Sequence, residues 1–286
     1  MQNQLPGKYE YTRISQKGDR KINQDRCEVF EHDGITLLLL ADGMGGHPKG
    51  EVAAQLFIDT AYHQLKNETA ASFNAEQFIE STLKLAHKNI VSYGKQQKPP
   101  IYPRTTAVIV IIVNGFMQWS HLGDSRTYLF RQGQPLKRTL DHTRVEAMRL
   151  AGQIEDSDSQ SEASGRSGVS KCLGGMKKIK DVMVSPPTRL QQDDLLLLCS
   201  DGVWSQLKEA DLNALILEDN LSLGERTTNL VDAAVKTGHP KSDNATALTL
   251  TWNMQLQQTA SQENKTENAE IDSALDNLRN LIGKYQ

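Results

Sequence analysis

Two widely separated segments of this chain end in nearly the same way: residues 37–43 read LLLLADG and residues 195–202 read LLLLCSDG. Four consecutive leucines must be buried, yet each run drives straight into an aspartate and a glycine. A carboxylate at the end of a buried strand is partly stripped of water, and without a partner it is either costly or protonated. A bound cation removes that cost. If the two leucine strands share one core, Asp42 and Asp201 lie side by side, so the duplicated ending constrains both the fold and the chemistry.

The periodicity around these runs sorts the chain into strands, then helices, then strands again. Residues 51–65, EVAAQLFIDTAYHQL, place Val52, Ala53, Leu56, Phe57 and Ala61 on one helical face. Residues 75–93 repeat the pattern with Phe78, Ile79, Leu83, Ala86 and Ile90. A β-branched run then meets Asn114-Gly115, a strong hairpin signal because both central residues of a type I′ turn need positive φ. The expected second strand returns through Trp119 and continues to Phe130, carrying Asp124. Residues 156–175 shift to Ser, Gly and charge and read as a surface excursion. Residues 245–252 alternate Leu248, Leu250 and Trp252 with Thr249 and Thr251, the pattern of a half-buried strand. Beyond residue 253 a polar linker leads to IDSALDNLRNLIGKY, where Ile271, Leu275, Leu278 and Ile282 keep helical spacing. The expected division is a main domain at 9–253 and an appendage at 254–286.

Composition excludes several alternatives. The 286 residues suffice for a sizeable core, and a net charge of −3 with scattered Lys and Arg gives no electrostatic reason to expect nucleic acid or an anionic membrane. Cys27, Cys172 and Cys199 are too few and too widely spaced for a zinc framework or a disulfide scaffold. The N-terminus lacks the basic and apolar regions of a signal peptide, and the longest strongly apolar run, at 107–113, falls far short of the roughly 20 residues of a membrane span. The expectation is a soluble, cytoplasmic protein.

Three further aspartates have settings like those of Asp42 and Asp201. Asp25 precedes a possible strand at 27–30, Asp243 stands at the mouth of the last strand, and Asp124 lies in HLGDSR. All are hard oxygen donors without a Cys or His cluster, which favours Mg²⁺ or Mn²⁺ over structural zinc. The loop glycines let backbone approach closely, so the Gly43 carbonyl is a further candidate ligand. Any one Asp-Gly or Asp-Asn alone is more often a turn than a metal site.

Taken in order, KGDRKINQD, LLADGMGGHPKGEVAA, TTAVIVIIV, HLGDSRTYLFRQG, LKRTLDHT, LLLLCSDGVWSQL and SDNATALTL resemble the metal-dependent serine/threonine protein phosphatases of type 2C, the bacterial branch in particular. The resemblance runs over residues 9–252. It implies an α+β fold, a four-layer αββα sandwich of two antiparallel sheets with helices outside. It implies that Asp42 bridges two Mg²⁺ or Mn²⁺ ions, with the Gly43 carbonyl and Asp25 on one side and Asp201 and Asp243 on the other. Asp124 matches the aspartate of a weaker third ion, Arg20 the arginine that grips the substrate phosphate, and Asn244 the residue following the last metal aspartate. The stretch at 156–175 falls where the family has a variable flap.

The implied activity is hydrolysis of phosphoserine and phosphothreonine in proteins by a hydroxide bridging the metals, opposing a serine/threonine kinase in bacterial signalling, by a monomer. Such hydrolysis needs a barrier reduction of roughly 20 kcal/mol or more. Two ions that activate water, with an arginine fork on the phosphate, are suited to it. The chain departs from the animal members in having Met44, not histidine, after the Asp-Gly, as bacterial members do, and Gln24 stands where glutamate is commoner. His47 is a loop histidine, and Trp119, Trp204 and Trp252 read as packing residues; Arg166 reads equally as a surface residue or a flap contact. Two rivals stay open: a non-catalytic binding module, expected to lose one of Asp42, Asp201 and Asp243, all of which are present, and an enzyme for non-protein phosphomonoesters.

Overall fold

The computed structural model describes residues 9–153, 168–175, 179 and 182–253, with the backbone of residues 3–4. Within it the leucine runs explain themselves. In β4 (Ile35–Asp42), Leu37 and Leu39 face a core shared with α1 (Gly50–Leu65) and α2 (Ala75–Gln96), while Leu38 and Leu40 face a second core. In β12 (Leu195–Cys199), Leu196 and Leu198 face that same second core, and Leu195 and Leu197 face a third. A strand covered on both faces has no polar side to present, so its sequence is apolar without alternation.

These strands are interior members of two antiparallel sheets. One runs β11 (Thr188–Arg189), β7 (Phe116–Leu122), β6 (Ala107–Val113), β4 and β3 (Asp25–His32). The other runs β1 (Asn3–Gln4), β2 (Tyr9–Gln16), β13 (Ala245–Trp252), β12, β8 (Arg126–Arg131) and β9 (Gln134–Arg138). A short ladder pairs β5 (Arg104–Thr105) with β10 (Leu173–Gly174). The second core lies between the sheets, where Val108, Val110 and Ile112 meet Leu248, Leu250 and Trp252. α1 and α2 cover the outer face of the first sheet; α5 (Glu209–Ile216) and α6 (Leu223–Gly238) cover that of the second. α3 (Arg144–Leu150) and the single turn α4 (Asp201–Trp204) complete the described helices. The expected αββα sandwich is therefore the observed fold.

Several details differ from expectation, each for a local reason. The first helix turns Ala54, Ile58 and Leu65 inward with Ala53, Phe57 and Ala61, and leaves Val52 and Leu56 half-buried. The expected face is displaced by part of a turn. The Asn114-Gly115 hairpin is present, with φ of 51° and 74° and Val113 paired to Phe116. Its second strand stops at Leu122: Gly123, at φ 112°, bends the chain out of one sheet, and β8 belongs to the other. The last strand is buried on both faces, because Ala245, Ala247 and Thr249 face α6, where the Thr249 and Thr227 hydroxyls lie 2.7 Å apart. Of the stretch at 156–175, Gly168, Ser170 and Lys171 are exposed as expected, whereas the last residues turn inward: Leu173 is fully buried in the core under α2. Arg166, the linker and the C-terminal helical pattern lie outside the described residues.

Candidate metal centre

Residue parity along the leucine strands sets the site. Asp42 continues the side of β4 that carries Leu38 and Leu40, and Asp25 is its directly paired partner across the β3–β4 ladder. The strand expected at 27–30 thus begins two residues earlier, at Asp25 itself. Two carboxylates facing each other on one strand pair repel. From the other sheet, Ser200 closes the gap: its hydroxyl donates to Asp25 Oδ2 at 2.8 Å, and its Oγ accepts the Thr246 N–H at 3.0 Å. Asp201 follows as the first residue of α4.

The backbone at Asp42 is held from several directions. Its N–H donates to Thr106 Oγ1 at 2.9 Å, and its carbonyl accepts from the Thr106 N–H at 2.8 Å and the Thr105 hydroxyl at 2.9 Å. The Gly43 N–H donates to the Gln24 carbonyl. Neither Gly43 nor Gly202 has a positive φ. Their need for glycine is close approach: a Cβ on Gly43 would lie 2.4 Å from the Gly50 carbonyl carbon, and one on Gly202 2.0 Å from the Asn244 carbonyl oxygen.

Asn244 ties the remaining loop in place. Its Oδ1 accepts the Gln24 N–H at 2.8 Å, and its Nδ2 donates to the carbonyls of Lys17 and Ile22 at 2.8 and 3.0 Å. Asp19 adds a second tie: its Oδ2 accepts from the N–H and hydroxyl of Ser242 at 2.9 and 2.7 Å, and those bonds hold its carboxyl below the usual range. Arg20, between these ties, pairs with Asp243 at 2.6 Å. Asp124 sits in the link between β7 and β8, with its carbonyl accepting the Trp204 indole N–H at 2.9 Å. The Trp204 ring in turn lies 3.4 Å from the Arg126 guanidinium, so this residue packs the rim and steadies Asp124's backbone.

The electrostatics are those of several acids gathered out of water. Burial first, then the charges of Asp201 and Asp243, push Asp25 up to about 7. Burial, then Asp201 and Asp141, push Asp124 up to about 7. Asp42 is raised well above the usual carboxylate range, by burial and then by Asp25, Asp201 and Asp124; Asp201 is raised by burial and by Asp243. Among the described residues no three such side chains close into a finished coordination cage. What does fit a hard cation is the donor set: neighbouring carboxylates that raise one another, and a fully buried Asp25 Oδ1 with no hydrogen-bond partner.

All seven expected site residues, Arg20, Asp25, Asp42, Gly43, Asp124, Asp201 and Asp243, thus gather at one end of the inter-sheet core. Asp19, Ser200, Thr105, Thr106 and Ser242 were missed. Their hydroxyls and carboxylate act through backbone groups remote in sequence, which no spacing rule exposes. His47 is half-buried in the glycine loop and held below its usual pKa by burial, then by Arg104. Gln24 donates through its side-chain amide to Glu51 Oε2 at 3.2 Å.

A family model described as Protein phosphatase 2C matches residues 15–270. The chain belongs to the protein phosphatase 2C family. A serine/threonine phosphatase Stp from Listeria innocua is 30% identical over 240 residues, covering 82% of this chain and 92% of that one. The crystal structure of the Mycobacterium tuberculosis serine/threonine phosphatase PstP aligns with a TM-score of 0.75 at 26% identity, over 86% of this phosphatase and all of the solved chain. The catalytic domain of a PstP in complex with two manganese ions aligns with a TM-score of 0.72 at 25% identity, over 86% and 99% of the two chains. This protein phosphatase 2C is thus a metal-dependent enzyme with the sandwich its sequence implied. Among its described residues no helix is long and apolar enough to cross a membrane.

Proposed function

We propose that this metal-dependent serine/threonine protein phosphatase hydrolyses phosphoserine and phosphothreonine in proteins at the aspartate cluster between its two sheets. The observation that carries the reading is the set of buried and half-buried carboxylates, one with an unpartnered oxygen, that raise one another's pKa. Asp42 would be shared between two divalent ions, which Asp25 and the Gly43 carbonyl would hold on one side and Asp201 and Asp243 on the other. When bound, such ions supply an ionised water as nucleophile near neutral pH and offset charge on the phosphoryl oxygens. Asp124 marks a weaker third position. Either Mg²⁺ or Mn²⁺ suits these oxygen donors.

The chain's own residues do the rest. Arg20, half-exposed at the lip and paired with Asp243, carries the planar fork that orients a phosphate. Asn244 and Asp19 keep its loop against the last strand, so the guanidinium meets the substrate from a fixed base. No side chain acts as nucleophile, and no phosphoenzyme forms. The catalytic unit spans 9–253, the enzyme works as a cytoplasmic monomer, and it opposes a serine/threonine kinase.

The test is hydrolysis of a phosphothreonine peptide with Mn²⁺, with and without chelator, beside a panel of small phosphomonoesters. Turnover that the chelator abolishes, with the peptide preferred, supports the reading. Turnover that survives the chelator would sink the metal role; activity confined to small esters would move the substrate away from proteins.

A further inference from the structure

The glycine loop after Asp42 has an arginine on each side. A Cβ on Gly45 would lie 3.4 Å from Arg20 Nη1. On the other side stands Arg104, whose carbonyl accepts the Met44 N–H at 3.0 Å and whose β5 position pairs with Gly174. Its side chain rests against Gly175, where φ is +69° and a Cβ would come within 2.9 Å of Arg104 Nε. The guanidinium also reaches the loop electrostatically, since it is the second cause, after burial, of the lowered His47 pKa. Arg104 therefore occupies the wall between the glycine loop and the Leu173–Gly174 ladder.

Among the described residues this arginine lacks a counter-charge, as Arg226 does, but Arg226 still donates through Nη1 to the Ile216 carbonyl. Arg126 and Arg131, also partly buried, each grip a carboxylate with two nitrogens, Asp141 at 2.8 and 2.7 Å and Asp194 at 2.8 and 2.7 Å. Arg104 is half-buried, no carboxylate among the described residues pairs with it, and its Nε is buried without an acceptor. That Nε has given up water without receiving an acceptor, which one oxygen of a planar two-oxygen ligand would supply. Its carbonyl bonds the residue two positions after Asp42, and Thr106, two residues further on, holds Asp42 itself, so Arg104 belongs to the wall of the site.

We propose that Arg104 is a specificity-determining residue that binds an acidic side chain flanking the phosphorylated residue of the substrate. The inference rests on the phosphatase reading above. A substrate segment laid across the glycine loop then meets two cations, Arg20 for the phosphate and Arg104 for a neighbouring carboxylate. Substrates carrying a glutamate beside the phosphothreonine are favoured over those carrying glutamine there.

The test compares kcat and KM for two phosphothreonine peptides differing only in Glu or Gln at the flanking positions, with Mn²⁺, for wild type, Arg104→Gln and Arg104→Lys. A charge-assisted pair gives an expected preference of about tenfold in kcat/KM for the acidic peptide in wild type, expressed in KM. Arg104→Gln is expected to bring that ratio close to one, with Arg104→Lys between the two; thermal midpoints confirm that each variant is folded. An undiminished preference in either variant, or equal use of both peptides by wild type, overturns the role of Arg104 alone. Failure of wild type to hydrolyse either peptide overturns the phosphatase reading and this inference with it.

Discussion

The ends of β4 and β12 begin from almost the same letters and are built differently. At β4 the aspartate is still in the strand, paired with Asp25, its backbone held by Thr105 and Thr106. At β12 the strand stops at Cys199, Ser200 turns its hydroxyl across to Asp25, and Asp201 opens a helical turn. A third Asp-Gly, Asp33-Gly34, is an ordinary hairpin turn between β3 and β4, with φ of 45° and 77°. The dipeptide therefore does not specify a local structure. What Asp42 and Asp201 share is a place at the end of a strand buried on both faces, with glycine demanded by a neighbouring backbone and not by φ.

Alanine at each of the three glycines breaks this comparison most sharply. In Gly202→Ala the new methyl meets the Asn244 carbonyl oxygen at 2.0 Å, backbone that cannot swing aside. We expect a loss of about 3 kcal/mol or more, read as a lowered midpoint in thermal or denaturant unfolding. Gly43→Ala, 2.4 Å from the Gly50 backbone, should behave alike. Gly34→Ala meets only Ala70 Cβ at 3.7 Å and costs the left-handed conformation, about 1 kcal/mol. Equal losses at all three would remove the distinction.

Asn244→Ala removes three hydrogen bonds that hold the Arg20 loop, for an expected loss of about 2–3 kcal/mol and a raised KM for phosphopeptide. Ser200→Ala removes the bond to Asp25 between the sheets and the acceptor of the Thr246 N–H, for about 2 kcal/mol in the same unfolding assay.

The pH dependence of the ion-free protein sharpens the comparison further. Asp25 on β3 and Asp124 beyond β7 are both pushed up to about 7 by burial first and neighbouring acids second. The folded chain then keeps protons that the unfolded chain releases above about pH 4. Their contribution is fully present below that point and is lost as pH rises through about 7. Chelated protein should show a thermal midpoint that falls over this window, and Mn²⁺ at neutral pH should raise it again. A midpoint rising over the same window would contradict the electrostatic picture.

The aspartates were legible in the sequence because a carboxylate at the end of an apolar strand is costly unless something is done with it. The two-sheet sandwich was legible through the resemblance and the leucine runs, and the hairpin through Asn114-Gly115. What could not be read depends on register and crossing. The break at Gly123 that carries the chain between sheets, the burial of Leu173, and the hydroxyls of Ser200 and Thr106 become visible only when distant backbones meet. Arg104 belongs with these, since its lack of a partner is a property of the fold and not of its neighbours in the chain.

The central claim is that two strand ends converge on one shared pair of cations. Titration calorimetry of Mn²⁺ into metal-free wild type and Asp42→Asn tests it most directly, with circular dichroism confirming that both are folded. We expect two tightly bound ions per wild-type chain and a collapse of both sites in the variant, as the proposed sharing of Asp42 requires. Binding of two ions with unchanged affinity in Asp42→Asn would contradict the account.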